Sequence, residues 1–71
     1  MKRIPVSSSN LASVGYDETS QTLEIGFLHG GVYQYFDVPS SIHEGLMNAS
    51  SHGTYFDGHI KKAGYSYKKI G

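Results

Sequence analysis

Cysteine is absent from this sequence, and that absence closes several routes at once. No disulfide staples the fold, no thiolate holds a zinc ion, and no thiol acts as a nucleophile. Net charge is absent too. Six basic residues balance six acidic ones, so the totals alone indicate no nucleic-acid partner. No apolar run is long enough to span a bilayer, and the polar N-terminus lacks the apolar core of a signal peptide, so a cytoplasmic location is the expectation. Catalytic patterns are also lacking. The serines cluster in capping positions, and no glycine-flanked nucleophile motif places a histidine beside one. Glu24, Asp37 and Glu44 are not paired by any periodicity, and no P-loop lysine or dinucleotide-binding spacing follows Gly30-Gly31. Among His29, His43, His52 and His59 no two lie at the i, i+4 spacing of a helical metal site. These absences predict no enzyme, no metal site and no cofactor.

What remains is a chain of 71 residues, enough for one domain. A domain of that size buries only about 60% of the surface that its unfolded chain exposes, so its six tyrosines and three phenylalanines must supply much of the core. The organising stretch is Gly30-Gly31-Val32-Tyr33-Gln34-Tyr35-Phe36-Asp37-Val38-Pro39: a glycine turn, an aromatic strand, and a proline that ends it. Before it, 11–17 alternates as a strand and 22–28 alternates more strictly, with Leu23, Ile25 and Phe27 on one face. With 32–37 these form a three-stranded antiparallel meander. After Pro39 the period lengthens. Ile42, Leu46 and Ala49, then Phe56, Ile60 and Ala63, fall at i, i+4 and i+7, which predicts helices over 39–49 and 53–63, with Gly64 as a C-cap. Tyr65 to Ile70 alternates again, as a short last strand or an extended tail. The fold class is α+β, a three-stranded meander packed against two short helices, with Ile25, Phe27, Leu46, Phe56 and Ile60 in the core.

The parity of the hairpin loop decides where the tyrosines point. A three-residue loop puts Tyr33 and Tyr35 on the Leu23-Ile25-Phe27 face; a two-residue Gly30-Gly31 loop sends them to solvent. Polar Gln34 between the two rings favours the odd loop and buried tyrosines.

Taken in order, the motifs resemble those of the KTSC domain, a family named for the C-terminus of some lysyl-tRNA synthetases and found also as stand-alone small bacterial proteins. Ser8-Ser9-Asn10 is similar to its opening serine motif, and Tyr33-Gln34-Tyr35 to its central Tyr-x-Tyr. Gly53 with Tyr55-Phe56 resembles its glycine-aromatic motif; His52 replaces an expected basic residue, and Asp57 an expected asparagine. The resemblance spans nearly the whole of residues 1–71 as one domain, and its synthetase context implies RNA binding.

Charge distribution supplies a second motive. Residues 1–16 carry +2, residues 17–57 carry −6 and residues 58–71 carry +4. If the termini meet, Lys2, Arg3, Lys61, Lys62, Lys68 and Lys69 form one basic patch beside Tyr65 and Tyr67. Rings next to lysines suit a single-stranded nucleic acid. The expectation is a small non-enzymatic binding module, weakly binding RNA through its termini. The alternative is a protein-interaction or self-associating module, motivated by a small core with an aromatic-rich sheet.

Overall fold

Two-residue alternation governs the chain up to Tyr35, and helical spacing governs it from Ser40. The computed structural model describes residues 1–71 and keeps that division. Strands β1 (Ile4–Pro5), β2 (Leu11–Asp17), β3 (Thr22–Phe27) and β4 (Val32–Tyr35) precede helices α1 (Ser40–Asn48) and α2 (His52–Phe56). A π-helical turn, Asp57–Lys61, continues α2, and β5 (Tyr67–Lys69) closes the chain. The sheet is antiparallel throughout, in the order β1-β2-β3-β4-β5.

The expected three-stranded meander is therefore the centre of a five-stranded sheet. The alternation of Tyr65 to Ile70 does end in a strand, β5, whereas β1 does not announce itself by periodicity, being two residues long and containing Pro5. Proline lacks the donor for a second ladder, so it suits an edge. The second helix also departs from expectation. It begins at His52 as α-helix, capped by Ser51 Oγ accepting from the Thr54 N–H, and widens into the π turn from Asp57. Gly64 follows with φ +91°, the left-handed geometry of a helix-ending glycine. Pro39 stands at the N-cap of α1, with no side-chain cap.

The β3–β4 turn has the odd parity. Phe27 N–H donates to Gly31 O, and Gly30 N–H donates to Phe27 O, each at 3.1 Å, leaving three residues between Phe27 and Gly31. Gly30 and Gly31 both take positive φ, which a side chain would strain. Leu23 thus faces Tyr35 and Ile25 faces Tyr33, so the tyrosines share the face beneath the helices. There Leu11, Val14, Leu23, Ile25, Tyr35 and Val38 pack with Leu46 of α1 and with Phe56 and Ile60. Phe27 lies at the border of this core, half-buried.

Two contacts fix the helices. Tyr16 donates its hydroxyl to Val38 O at 2.5 Å and stacks on His43 of α1 at 4.6 Å. Gly45, a poor helix former, is where Tyr55 crosses α1: a Cβ there would overlap the Tyr55 hydroxyl. Tyr55 then stacks on His59 at 4.2 Å. No helix is long and apolar enough to cross a membrane.

Candidate functional site: an aromatic groove

Pairing Tyr33 opposite Lys69 and Tyr35 opposite Tyr67 puts three tyrosines on the helix-side face near the β5 edge. Phe27 joins them from β3 and Phe56 from α2. Their rings touch in a closed circuit: Phe27–Tyr33 at 5.6 Å, Tyr33–Tyr67 at 6.2 Å, Tyr67–Tyr35 at 5.6 Å, Tyr35–Phe56 at 5.5 Å and Phe56–Phe27 at 5.5 Å. Three of these contacts are edge-to-face, the arrangement that the ring quadrupoles favour. The circuit is graded. Phe56 and Tyr35 are buried, Phe27 and Tyr33 are half-buried, and Tyr67 is 64% exposed.

This circuit lines an open groove of about 410 Å³, whose remaining walls are Asn10, His29, Asp57 and Lys61. Asp57 and Lys61 stand four residues apart on the π turn, hence on one side of it. Asp57 also pairs through Oδ2 with Lys62 Nζ at 3.1 Å, an exposed bridge worth little to stability. Asn10 is held by Ser8. Ser8 Oγ accepts from the N–H groups of Asn10 and Leu11, at 3.3 and 3.2 Å, and donates to Asn10 Oδ1 at 3.1 Å. Gly53 leaves the room that this cluster needs, since a Cβ at Gly53 would overlap Asn10 Oδ1. Burial raises the Tyr35 phenol, with Tyr67 and Tyr33 adding to the rise, so at neutral pH it remains a protonated donor.

The residues expected to form one basic patch lie in several places. The termini occupy opposite edges of the sheet, four strand spacings or about 19 Å apart along it. Arg3 lies over the opposite face, where Nε donates to Ser13 Oγ at 2.9 Å and a terminal nitrogen pairs with Glu24 at 2.5 Å. Lys2 accompanies it: a Cβ on Gly15 would sit 2.8 Å from Lys2 O. Lys68 faces Gln34 and shares that outer side, whereas Lys69, opposite Tyr33, points to the groove side. Consecutive strand residues alternate, so Lys68 and Lys69 serve different faces. Tyr65 packs against the core, and Lys62 is engaged with Asp57.

Of the eight residues read from sequence, Lys61 and Tyr67 line the groove, with Lys69 on the same side of the sheet. The family-motif residues Tyr33, Tyr35 and Phe56 line it as well, while Ser8 and Gly53 shape it from behind and Ser9 takes no part. Four lining residues were not foreseen as site residues: Asn10, Phe27, His29 and Asp57. Phe27 was legible as core, and Asn10 stood inside the serine motif, but the proximity of residues 10, 27 and 57 exists only in the fold.

The architecture has close counterparts. A crystal structure of a KTSC domain protein from Yersinia pestis superposes with a TM-score of 0.93 at 47% identity, covering 99% of this chain and 97% of that one. A small protein from Stutzerimonas stutzeri is 40% identical over 70 residues, 99% of each chain. A lysine–tRNA ligase from Nostoc punctiforme is 45% identical over 53 residues, which are 75% of this chain and only 9% of the ligase. The family model described as the KTSC domain matches residues 7–67, from the turn that holds Asn10 to the strand that carries Tyr67. The chain belongs to the KTSC domain family.

Proposed function

We propose that the domain is a small non-enzymatic module that holds single-stranded RNA, with an unpaired base lodged in the aromatic groove. The observation carrying this reading is Tyr67, a ring 64% exposed, backed by Tyr33 and Tyr35, with Lys61 on the adjacent wall. Every nucleobase has a π-face, and stacking on an aromatic side chain is worth ~1–3 kcal/mol per base. Lys61 and Lys69 supply positive charge on the side where a phosphate would follow. The similarity to a segment of lysine–tRNA ligases supports an RNA setting.

Aromatic walls with a carboxylate also suit organic cations. Lys61 opposes that use here, and Asp57 already has Lys62 as its counter-ion. Self-association is favoured less. The exposed apolar side chains are spread over the sheet, with Met1 and Ile4 by the β1 edge, Tyr67 and Ile70 by the β5 edge, and Leu28 in the β3–β4 turn.

The test is fluorescence anisotropy with a labelled single-stranded oligonucleotide over a salt series. Binding should weaken linearly on a log-log plot. Tyr67→Ala should reduce affinity with the slope nearly unchanged, and Lys61→Ala should lower the slope by ~0.7, one contact on a single strand. Lys2→Ala should change neither. No binding at low salt, together with a stable dimer on sizing, would overturn the reading in favour of an interaction module.

A further inference from the structure

Asn10 is held in a way that its place in the turn does not require. Both lone pairs of Ser8 Oγ are taken by the backbone N–H groups of Asn10 and Leu11. The Ser8 hydroxyl has only its proton left to give, so the Asn10 atom 3.1 Å away must be an acceptor, which fixes it as Oδ1. The amide nitrogen, with two donors, is left without a protein partner at the groove wall. Gly53 closes the arrangement from the other side, because any side chain there would displace Asn10 Oδ1. Asp57 presents the complementary group. Its Oδ2 is occupied by Lys62, and the other carboxylate oxygen remains as an acceptor on the same groove.

We infer that Asn10 contacts the ligand, its amide nitrogen and the free Asp57 oxygen forming a donor and an acceptor that together read the edge of one base. This rests on the RNA reading given above and sharpens it. A groove of about 410 Å³ lies near the lower end of small-ligand sites, which run from ~300 to 1,000 Å³, so it suits one nucleotide and not a run. All four bases carry an acceptor beside a donor on some edge, so the pair distinguishes a base from no base more than it distinguishes one base from another. Ser8 and Gly53 are then positioning residues for Asn10.

The probe is a short labelled ribose-phosphate oligomer that is abasic except at one position, which carries uracil, adenine, cytosine or guanine, or nothing. The readout is the affinity ratio of each base-bearing probe to the fully abasic one, which cancels the general effect of charge. Asn10→Asp keeps the size and the acceptor that Ser8 needs but replaces the donor with a second acceptor. It should reduce the ratio for uracil, adenine and cytosine by about tenfold, the loss of one good hydrogen bond. Guanine, which has two adjacent donors, should retain its ratio best. Asp57→Ala should raise affinity for the abasic probe while narrowing the ratio for every base. If Asn10→Asp lowers the thermal midpoint into the assay range, Asp57→Ala, at an exposed position, carries the test alone. A wild-type ratio of one would defeat the underlying groove reading. A wild-type ratio well above one, lost in Tyr67→Ala but unchanged in both polar variants, would leave the groove standing and overturn the role given to Asn10 and Asp57.

Discussion

The two faces of the sheet are covered by opposite chemistry. On the helix side, Val14, Leu23, Ile25 and Tyr35 meet Leu46, Phe56 and Ile60, and the excess aromatic surface runs out into the groove. On the outer side no second layer of helices exists, and a row of polar groups crosses the strands instead. Glu24 lies at its centre, 4% exposed, with Oε1 accepting from Gln34 Nε2 at 2.9 Å and Oε2 paired with Arg3 at 2.5 Å. The chain covers this face with its own N-terminus. Gly15 and Gly26 leave the space, since a Cβ on either would crowd Lys2 or Arg3. So short a chain closes a sheet with only one helical layer by two different means. One face is closed by packing and is free to present rings; the other is closed by hydrogen bonds that consume its charges. A buried carboxylate is tolerable only when paired and hydrogen-bonded, and Arg3, which from sequence looked available for a phosphate, is used for that purpose.

Substitution on the packed face should have the largest effect. Phe56→Ala removes a ring that is 2% exposed and touches both Phe27 and Tyr35, and should cost ~3–5 kcal/mol, much of the stability of a domain this size. Chemical denaturation measures it. A loss below ~1 kcal/mol would mean that the ring circuit is not part of the core. On the polar face, Arg3→Ala should cost less, ~1–3 kcal/mol, because it leaves Glu24 buried with only Gln34 as partner. The double variant Arg3→Ala with Glu24→Gln should recover part of that loss, since a neutral amide tolerates burial better than an unpaired carboxylate. Equal losses in the single and double variants would show that Arg3 acts through packing alone.

Acidification should separate the faces more finely. Burial pushes the Glu24 carboxyl up, but the Gln34 hydrogen bond and Arg3 outweigh it, holding it below its ordinary 4.5. A carboxylate depressed in the folded state contributes stability that is present above the unfolded value and is lost as pH falls through the folded one. His43, stacked on Tyr16, is also depressed, from 6.5, chiefly by burial and against the opposing effect of Glu44. The folded state favours its neutral ring, so its contribution is complete above pH 6.5 and declines as pH falls below that value. Stability should therefore fall in two stages, a shallow one beginning near pH 6.5 that His43→Gln removes, and a second below 4.5 that Glu24→Gln removes. A single stage, or stages insensitive to these substitutions, would contradict these assignments.

Periodicity carried the centre of the fold into view, signalled a short last strand in the alternation of Tyr65 to Ile70, and lost the other edge, β1. Strict alternation from Thr22 to Phe27 and the change of spacing at Pro39 are local signals, so β2, β3, β4 and both helices were legible. Gln34 between two tyrosines even indicated the loop parity. Ile4-Pro5 is too short to have a period, and its pairing with Ser13 and Val14 depends on contacts between distant segments. The same limit explains the site. Tyr67, Lys61 and the Tyr-x-Tyr motif could be picked out by residue type, but charge alone grouped Lys2 and Arg3 with Lys68 and Lys69. Strand order separates them, and alternation turns Lys68 away from Lys69.

The most direct test of the groove is a two-dimensional ¹H–¹⁵N NMR titration of the intact domain with a short single-stranded oligoribonucleotide at low salt. Saturable shifts should concentrate on Asn10, Tyr33, Asp57, Lys61 and Tyr67, with Lys2, Arg3 and Lys68 nearly unmoved. Shifts centred on Lys2 and Lys68, or distributed wherever lysines occur, would show that charge and not the aromatic groove holds the strand.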